Sequence, residues 1–170
     1  DDRFHFLKAG IRVVDLGAAP GAWCQVASAR IGTAEGGPGL VIGVDILEME
    51  NMNGVELMQL DMREPDAPDI IRSAANGPVD LVVSDLAPST TGHGSTDHIR
   101  IVALVEIGLD FALSVLVPGG TFVAKVFKGG AEGEILDLLK ANFNTVKHAK
   151  PASSRPESAE TYVVALDFKG

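Results

Sequence analysis

The sequence predicts a single α/β domain, residues 1–170, built on a mostly parallel seven-stranded sheet whose last strand runs antiparallel, with helices on both faces. Three observations predict it. Apolar, β-branched runs alternate with helix-compatible segments, the pattern of strand–crossover–strand units. A glycine-rich turn follows the first of these runs and opens into a helix. The length, 170 residues with 46% hydrophobic side chains, supplies one sizeable core and leaves no room for a second.

The strand runs fall at residues 11–16, 40–46, 55–60, 79–84, 121–127, 143–149 and 162–168, most of them bounded by Gly, Pro, Asp or Asn. Helices are expected over residues 20–31, 67–75, 97–116 and 131–142. In the third, Ile101, Leu104, Val105, Gly108 and Ala112 share one stripe. Pro118, Gly119 and Gly120 should stop that helix and launch the fifth strand. Only a short Pro/Ser-rich stretch, residues 150–159, separates the last two strand runs, which leaves no crossover helix and makes them antiparallel neighbours.

Composition narrows the function. No apolar run approaches the roughly 18 residues of a membrane span, and the acidic start DDRFHFLKAG is unlike a secretory or transit peptide. The single cysteine, Cys24, precludes an internal disulfide and fits a reducing, cytoplasmic setting. Four histidines without paired spacing point to no structural metal. A net charge of −9 argues against an ordinary nucleic-acid binder, but the acidic excess lies within residues 1–120. Any polyanion contact should therefore favour residues 121–170, where Lys128, Lys147, Lys150 and Arg155 lie.

In an open parallel sheet ligands sit beyond the carboxyl ends of the strands. There the sequence places Asp15, Asp45, Asp61 and Asp85, each near the end of one of the first four strands. A single such aspartate is commonly a turn former or helix cap; four at corresponding positions are harder to attribute to punctuation. The turn itself discriminates among ligands. Ala19 occupies the second glycine position of the dinucleotide fingerprint, no Walker sequence is present, and Pro20 removes an N–H donor where a phosphate would bind. Gly17 and Gly21 still let a neutral or zwitterionic ligand approach the backbone. Asp45 stands where a carboxylate can accept both hydroxyls of a ribose, so an adenosine without phosphates satisfies these constraints. Lys125 interrupts the fifth strand, where an ammonium must face a cavity or a carboxylate. It is either half of a structural ion pair or a catalytic lysine, and Asp85 and Glu160 are expected to converge on it.

In this order, VVDLGAAPGAW (13–23), SDLAPSTTG (84–92), FVAKVF (122–127) and KPASSRPESAETY (150–162) resemble the FtsJ/RrmJ family of S-adenosylmethionine-dependent ribose 2′-O-methyltransferases. Within it they are most similar to the bacterial enzymes that methylate a uridine of large-subunit ribosomal RNA. The resemblance implies a Rossmann-like methyltransferase fold. It also implies that Gly17, Gly21, Trp23, Asp45, Asp61 and Asp85 bind S-adenosylmethionine. Asp45 would hold the ribose, Asp61 would lie by the adenine, and Gly21 and Trp23 would shape the methionine side. Of the family's Lys-Asp-Lys-Glu tetrad, the last three members match Asp85, Lys125 and Glu160, with Lys125 as base. The first lysine belongs to a family segment upstream of the first strand; the chain opens after it, and Lys8 reads as a surface lysine. Arg155 is the leading candidate for a phosphate contact, and the glycine-rich residues 88–97, with His93 among them and His98 just after, are placed to cover substrate.

The expected partner is ribosomal RNA within the large subunit, met by a monomer in the cytoplasm. Other readings are methylation of another RNA such as tRNA, or an RNA- or cofactor-binding module without turnover. A nicotinamide oxidoreductase is disfavoured by Ala19, and a base-amino methyltransferase by Asp85-Leu86-Ala87-Pro88, which lacks the Pro-Pro-aromatic run that chemistry uses. By position alone Trp23 suits a core aromatic as well as a cofactor wall.

Overall fold

The computed structural model describes residues 1–87, 94–127, 132–150 and 160–170. Five strands run parallel: β1 (Arg12–Leu16), β2 (Leu40–Asp45), β3 (Glu56–Gln59), β4 (Val79–Ser84) and β5 (Leu116–Phe127). β7 (Glu160–Phe168) pairs antiparallel with β5 and with β6 (Phe143–Ala149). The order across the sheet is β3-β2-β1-β4-β5-β7-β6. The strand order reverses between β1 and β4, which opens a crevice at the carboxyl ends of those strands.

Helices α2 (Ala67–Ala75), α3 (Gly94–Val115) and α4 (Glu132–Asn142) share one face of the sheet, burying Ile71, Val105, Leu109, Ala112 and Leu139 against Val14, Leu16, Val82 and Phe122. The α3 stripe is the expected one at Val105, Gly108 and Ala112, extended by Leu109 and Val115. Gly108 lets this helix lie directly on β4, for a Cβ there would stand 2.7 Å from Ser84 Oγ. The opposite face carries α1 (Ala22–Ile31), a 3₁₀ turn (Thr33–Glu35) and the N-terminal residues Phe4, Phe6 and Leu7. Those N-terminal residues are tied to α1 through Arg30, whose guanidinium meets Asp1 and Asp2 at 2.6 Å each. Lys8 is exposed, as a surface lysine should be.

Several boundaries correct the sequence reading: α3 opens at Gly94, not 97, β7 opens at Glu160, not 162, and β5 and α1 differ for identifiable reasons. β5 begins at Leu116, so Pro118, Gly119 and Gly120 lie inside the strand and do not launch it. The register jumps from Val79↔Leu116 to Leu81↔Thr121, which puts four β5 residues opposite Asp80 alone. Proline lacks the ladder N–H and Gly119 has φ +84, so both fit the irregularity and neither would fit a regular central strand. α1 begins at Ala22, not Pro20, because Gly21 holds φ +107 and cannot be a helical residue. Among the described residues no helix is long and apolar enough to cross a membrane, and no group of three or more His, Cys, Asp or Glu side chains is placed to hold a metal ion.

Candidate active site

The turn after β1 is built by backbone. Gly17 and Ala18 N–H both donate to Val44 O, at 2.8 and 3.1 Å, and Gly21 N–H donates to Ala18 O at 2.6 Å. Gly17 has φ +77, and a Cβ on it would lie 2.9 Å from Asp85 C and O and from Leu86 N. The end of β4 is thus pressed against the first glycine, with Asp85 N–H donating to Leu16 O at 2.8 Å. Gly21 is buried, and a Cβ on it would collide with the Met52 side chain. Positive φ and close approach together account for glycine at both positions.

Asp45, half-buried at the end of β2, ties this turn to the next loop. Its Oδ2 accepts from Ala19 N–H and its Oδ1 from Leu47 N–H, each at 2.9 Å. A carboxylate oxygen has room for a second donor, so each Asp45 oxygen keeps acceptor capacity. Ile46 and Leu47 beside it are 55% and 60% exposed, an apolar ledge that the sequence reading passed over. Asp61, beyond β3, is gripped by Arg63 through its backbone N–H at 2.9 Å, Nε at 2.9 Å and NH2 at 2.6 Å. Those bonds hold the Asp61 carboxyl at about 2, below the usual carboxylate range. Arg63 was likewise missed; an aspartate after a strand signals a turn through the backbone N–H two residues on, but says nothing of the side chain there.

Asp85 follows β4 and Lys125 projects from the neighbouring β5. Lys125 Nζ stands 2.7 Å from Asp85 Oδ1, with side-chain exposures of 13% and 25%. Water is largely excluded from this pair, which makes the contact matter more than a surface ion pair would. Lys125 is opposite Tyr162 in β7, and Glu160 is opposite Phe127, two register positions farther along the same strand pair. The antiparallel direction of β7 is what brings its first residue to the rim where the parallel strands end. Trp23, half-buried in α1, meets Tyr162 with ring centroids 5.5 Å apart and planes inclined at 42°. Arg155, Lys128, His93 and residues 88–93 lie outside the described residues, and His98 falls within α3. Lys147 and Lys150 are exposed at and beyond β6.

Asp15 departs from the expected row of rim aspartates. It lies inside β1 at 1% exposure, where Cys24 Sγ–H donates to its Oδ2 at 3.2 Å. Burial pushes the Asp15 carboxyl up to about 7; the Cys24 bond opposes this, and the charges of Asp85 and Asp45 add to it. Burial likewise pushes the Cys24 thiol well above its ordinary range.

A family model described as FtsJ-like methyltransferase matches residues 1–168. A protein of Paramagnetospirillum magneticum named ribosomal RNA large subunit methyltransferase E is 59% identical over all of this chain and 70% of its own length. One of the same name from Azorhizobium caulinodans is 52% identical, also over all of this chain and 70% of its length. Among solved structures, a Plasmodium falciparum protein provisionally assigned as a ribosomal RNA methyltransferase superposes with a TM-score of 0.86 at 25% identity, covering 100% of this chain and 93% of that one. An S-adenosylmethionine-dependent O-methyltransferase of Thermotoga maritima gives 0.62 at 15% identity, over 96% of this chain and 62% of that one, which shows the shared fold.

Proposed function

Because the chain belongs to the FtsJ-like methyltransferase family, we propose that it transfers the methyl group of S-adenosylmethionine to a ribose 2′-hydroxyl, in a uridine of large-subunit ribosomal RNA. The single observation that carries the chemistry is the Lys125–Asp85 contact of 2.7 Å, held beside a glycine turn with no phosphate-binding features. The crevice fits the cofactor. Gly17 and Gly21 let the end of β4 and the Met52 side chain close directly on the turn, Asp45 keeps acceptor capacity for ribose hydroxyls, and Ile46 and Leu47 offer an apolar ledge for a base. Asp61 would accept from the adenine amine, shared with Arg63, and Trp23 would border the methionine portion.

S-adenosylmethionine supplies a methyl group on a sulfonium that already leaves readily. The protein's own contribution is then placement and proton removal. Holding the 2′-oxygen in line can be worth up to about 7–11 kcal/mol, and a positioned base a further 10²–10⁴-fold. Lys125, once it has released a proton to solvent and stands as a neutral amine, takes the 2′-proton to become the ammonium, and Asp85 with Glu160 orients it. Arg155 contacts a backbone phosphate. The substrate is the assembled large subunit in the cytoplasm, met by a monomer; the net charge of −9 favours a substrate whose RNA is partly neutralised by protein over naked RNA.

Lys125→Ala tests the assignment by single-turnover methyl transfer to large subunits. A loss of about 10²–10⁴-fold with cofactor affinity unchanged is expected; retention of most transfer would overturn the role of Lys125 whatever the binding data showed.

A further inference from the structure

A cavity of about 280 Å³ opens on the α1 face, lined among others by Asp15, Val83, Trp23, Val26, Phe6 and Leu7. Of the residues given to the cofactor, only Trp23 lines it. The lining side chains are apolar apart from the carboxyls of Asp1 and Asp15 and the indole N–H of Trp23. Asp1 is already engaged by Arg30 and by Leu7 N–H. Asp15 is 1% exposed, and its Oδ1 has no hydrogen-bond partner among the described residues. A buried acceptor left unmet costs about 1–3 kcal/mol, and more when charged, so a donor entering the cavity recovers that cost.

We propose that this cavity is a binding site for a monovalent organic cation with an apolar body, whose ammonium or guanidinium donates to Asp15 Oδ1. The apolar walls suit the carbon body, and the Trp23 ring is a favourable neighbour for a cation. The volume suits a ligand of phenylethylamine size, at the small end of ligand pockets. A free amine carries this chemistry, and so does a lysine or arginine side chain on a polypeptide segment. The site goes beyond the methyl-transfer reading and stands whether or not Lys125 is the base.

Trp23 is the only tryptophan and lines the cavity, so its fluorescence reports occupancy directly. The 170-residue protein is titrated at pH 8 with 2-phenylethylammonium and with 2-phenylethanol, its neutral counterpart. The amine is expected to bind about tenfold more tightly, the difference between a charge-assisted and a neutral hydrogen bond. That preference should shrink as the pH falls through about 7 and Asp15 takes up a proton. Asp15→Asn should abolish the preference. Val26→Phe, at an exposed position on the cavity wall, should block both ligands while burying no charge. Equal affinities for amine and alcohol, or an unchanged preference in Asp15→Asn, overturn the site. Repeating the titration on the chain extended with the flanking residues of the Paramagnetospirillum magneticum relative identifies the source. Amine binding that is lost there, and regained when the added lysines and arginines become methionine, assigns a side chain of the polypeptide; binding that persists assigns a free ligand.

Discussion

Gly17→Ala isolates how the glycine turn is held against β4. At φ +77 an alanine costs roughly 1–2 kcal/mol from the left-handed conformation alone. Its Cβ would also stand 2.9 Å from three backbone atoms of Asp85 and Leu86, which cannot rotate away as a side-chain end could. Overpacking of that kind adds about 1–3 kcal/mol. The combined loss is about 2–5 kcal/mol, and at roughly 2–4 °C per kcal/mol for a domain of this size the melting midpoint should fall by around 10 °C. Gly32→Ala is the matched control. Its φ is +92 and nothing lies within 4 Å of the added carbon, so it should show the conformational cost only. Urea denaturation of both variants measures the difference, and calorimetry with S-adenosylmethionine reads the effect on the crevice. The alanine at 17 displaces Asp85, so cofactor affinity should weaken there and be unchanged at 32. If Gly17→Ala were no less stable than Gly32→Ala, the close approach of β4 to the turn would be refuted.

Asp85→Asn leaves the Lys125 ammonium largely buried without its counter-charge and should cost about 3–5 kcal/mol by chemical denaturation, part of which the double variant with Lys125→Met recovers. The Asp15 carboxyl, raised from 3.8 to about 7, is protonated in the folded chain over a range where the unfolded chain has lost its proton. Stability should therefore fall as pH rises from about 4 to 7, by an amount on the order of 4 kcal/mol, and this slope should flatten in Asp15→Asn melts. The lowered Asp61 acts with the opposite sign: its contribution is present above about 4 and is lost as pH falls toward 2, a change that Arg63→Ala should remove from an acid titration. Asp45→Ala leaves Ala19 and Leu47 N–H without their acceptor, so calorimetry should show at least about tenfold weaker cofactor binding, consistent with roughly 1–3 kcal/mol per unmet group.

Elements bounded by strong local punctuation were legible to the residue. β4, β6 and α2 have the limits that their apolar runs and flanking Pro, Gly and Asn residues suggest. The glycine turn was legible too, since most of what shapes it, φ and short-range hydrogen bonds, is local. β5 misled because a Pro-Gly-Gly string looks like a turn; only its pairing with β4 reveals an irregularity inside a strand. The meeting of Asp85 with Lys125 was foreshadowed by a lysine inside a strand, but other contacts that join distant segments carried no signal. Met52 over Gly21, Cys24 beneath Asp15 and the Trp23–Tyr162 stack arise from loops and helices laid across the sheet, and no spacing rule predicts them.

Residue order by itself determined the alternation of strands and helices, the kind of ligand the turn can admit, and that Asp45, Asp61 and Asp85 lie at or just beyond strand ends, because periodicity and backbone chemistry act over a few residues. Tertiary structure alone decided that Lys125 stands 2.7 Å from Asp85, and that Asp15 withdraws from the rim to the wall of a cavity with one oxygen unmet. Distances across strands and the voids between layers depend on how whole elements pack, a property that no short stretch of sequence contains.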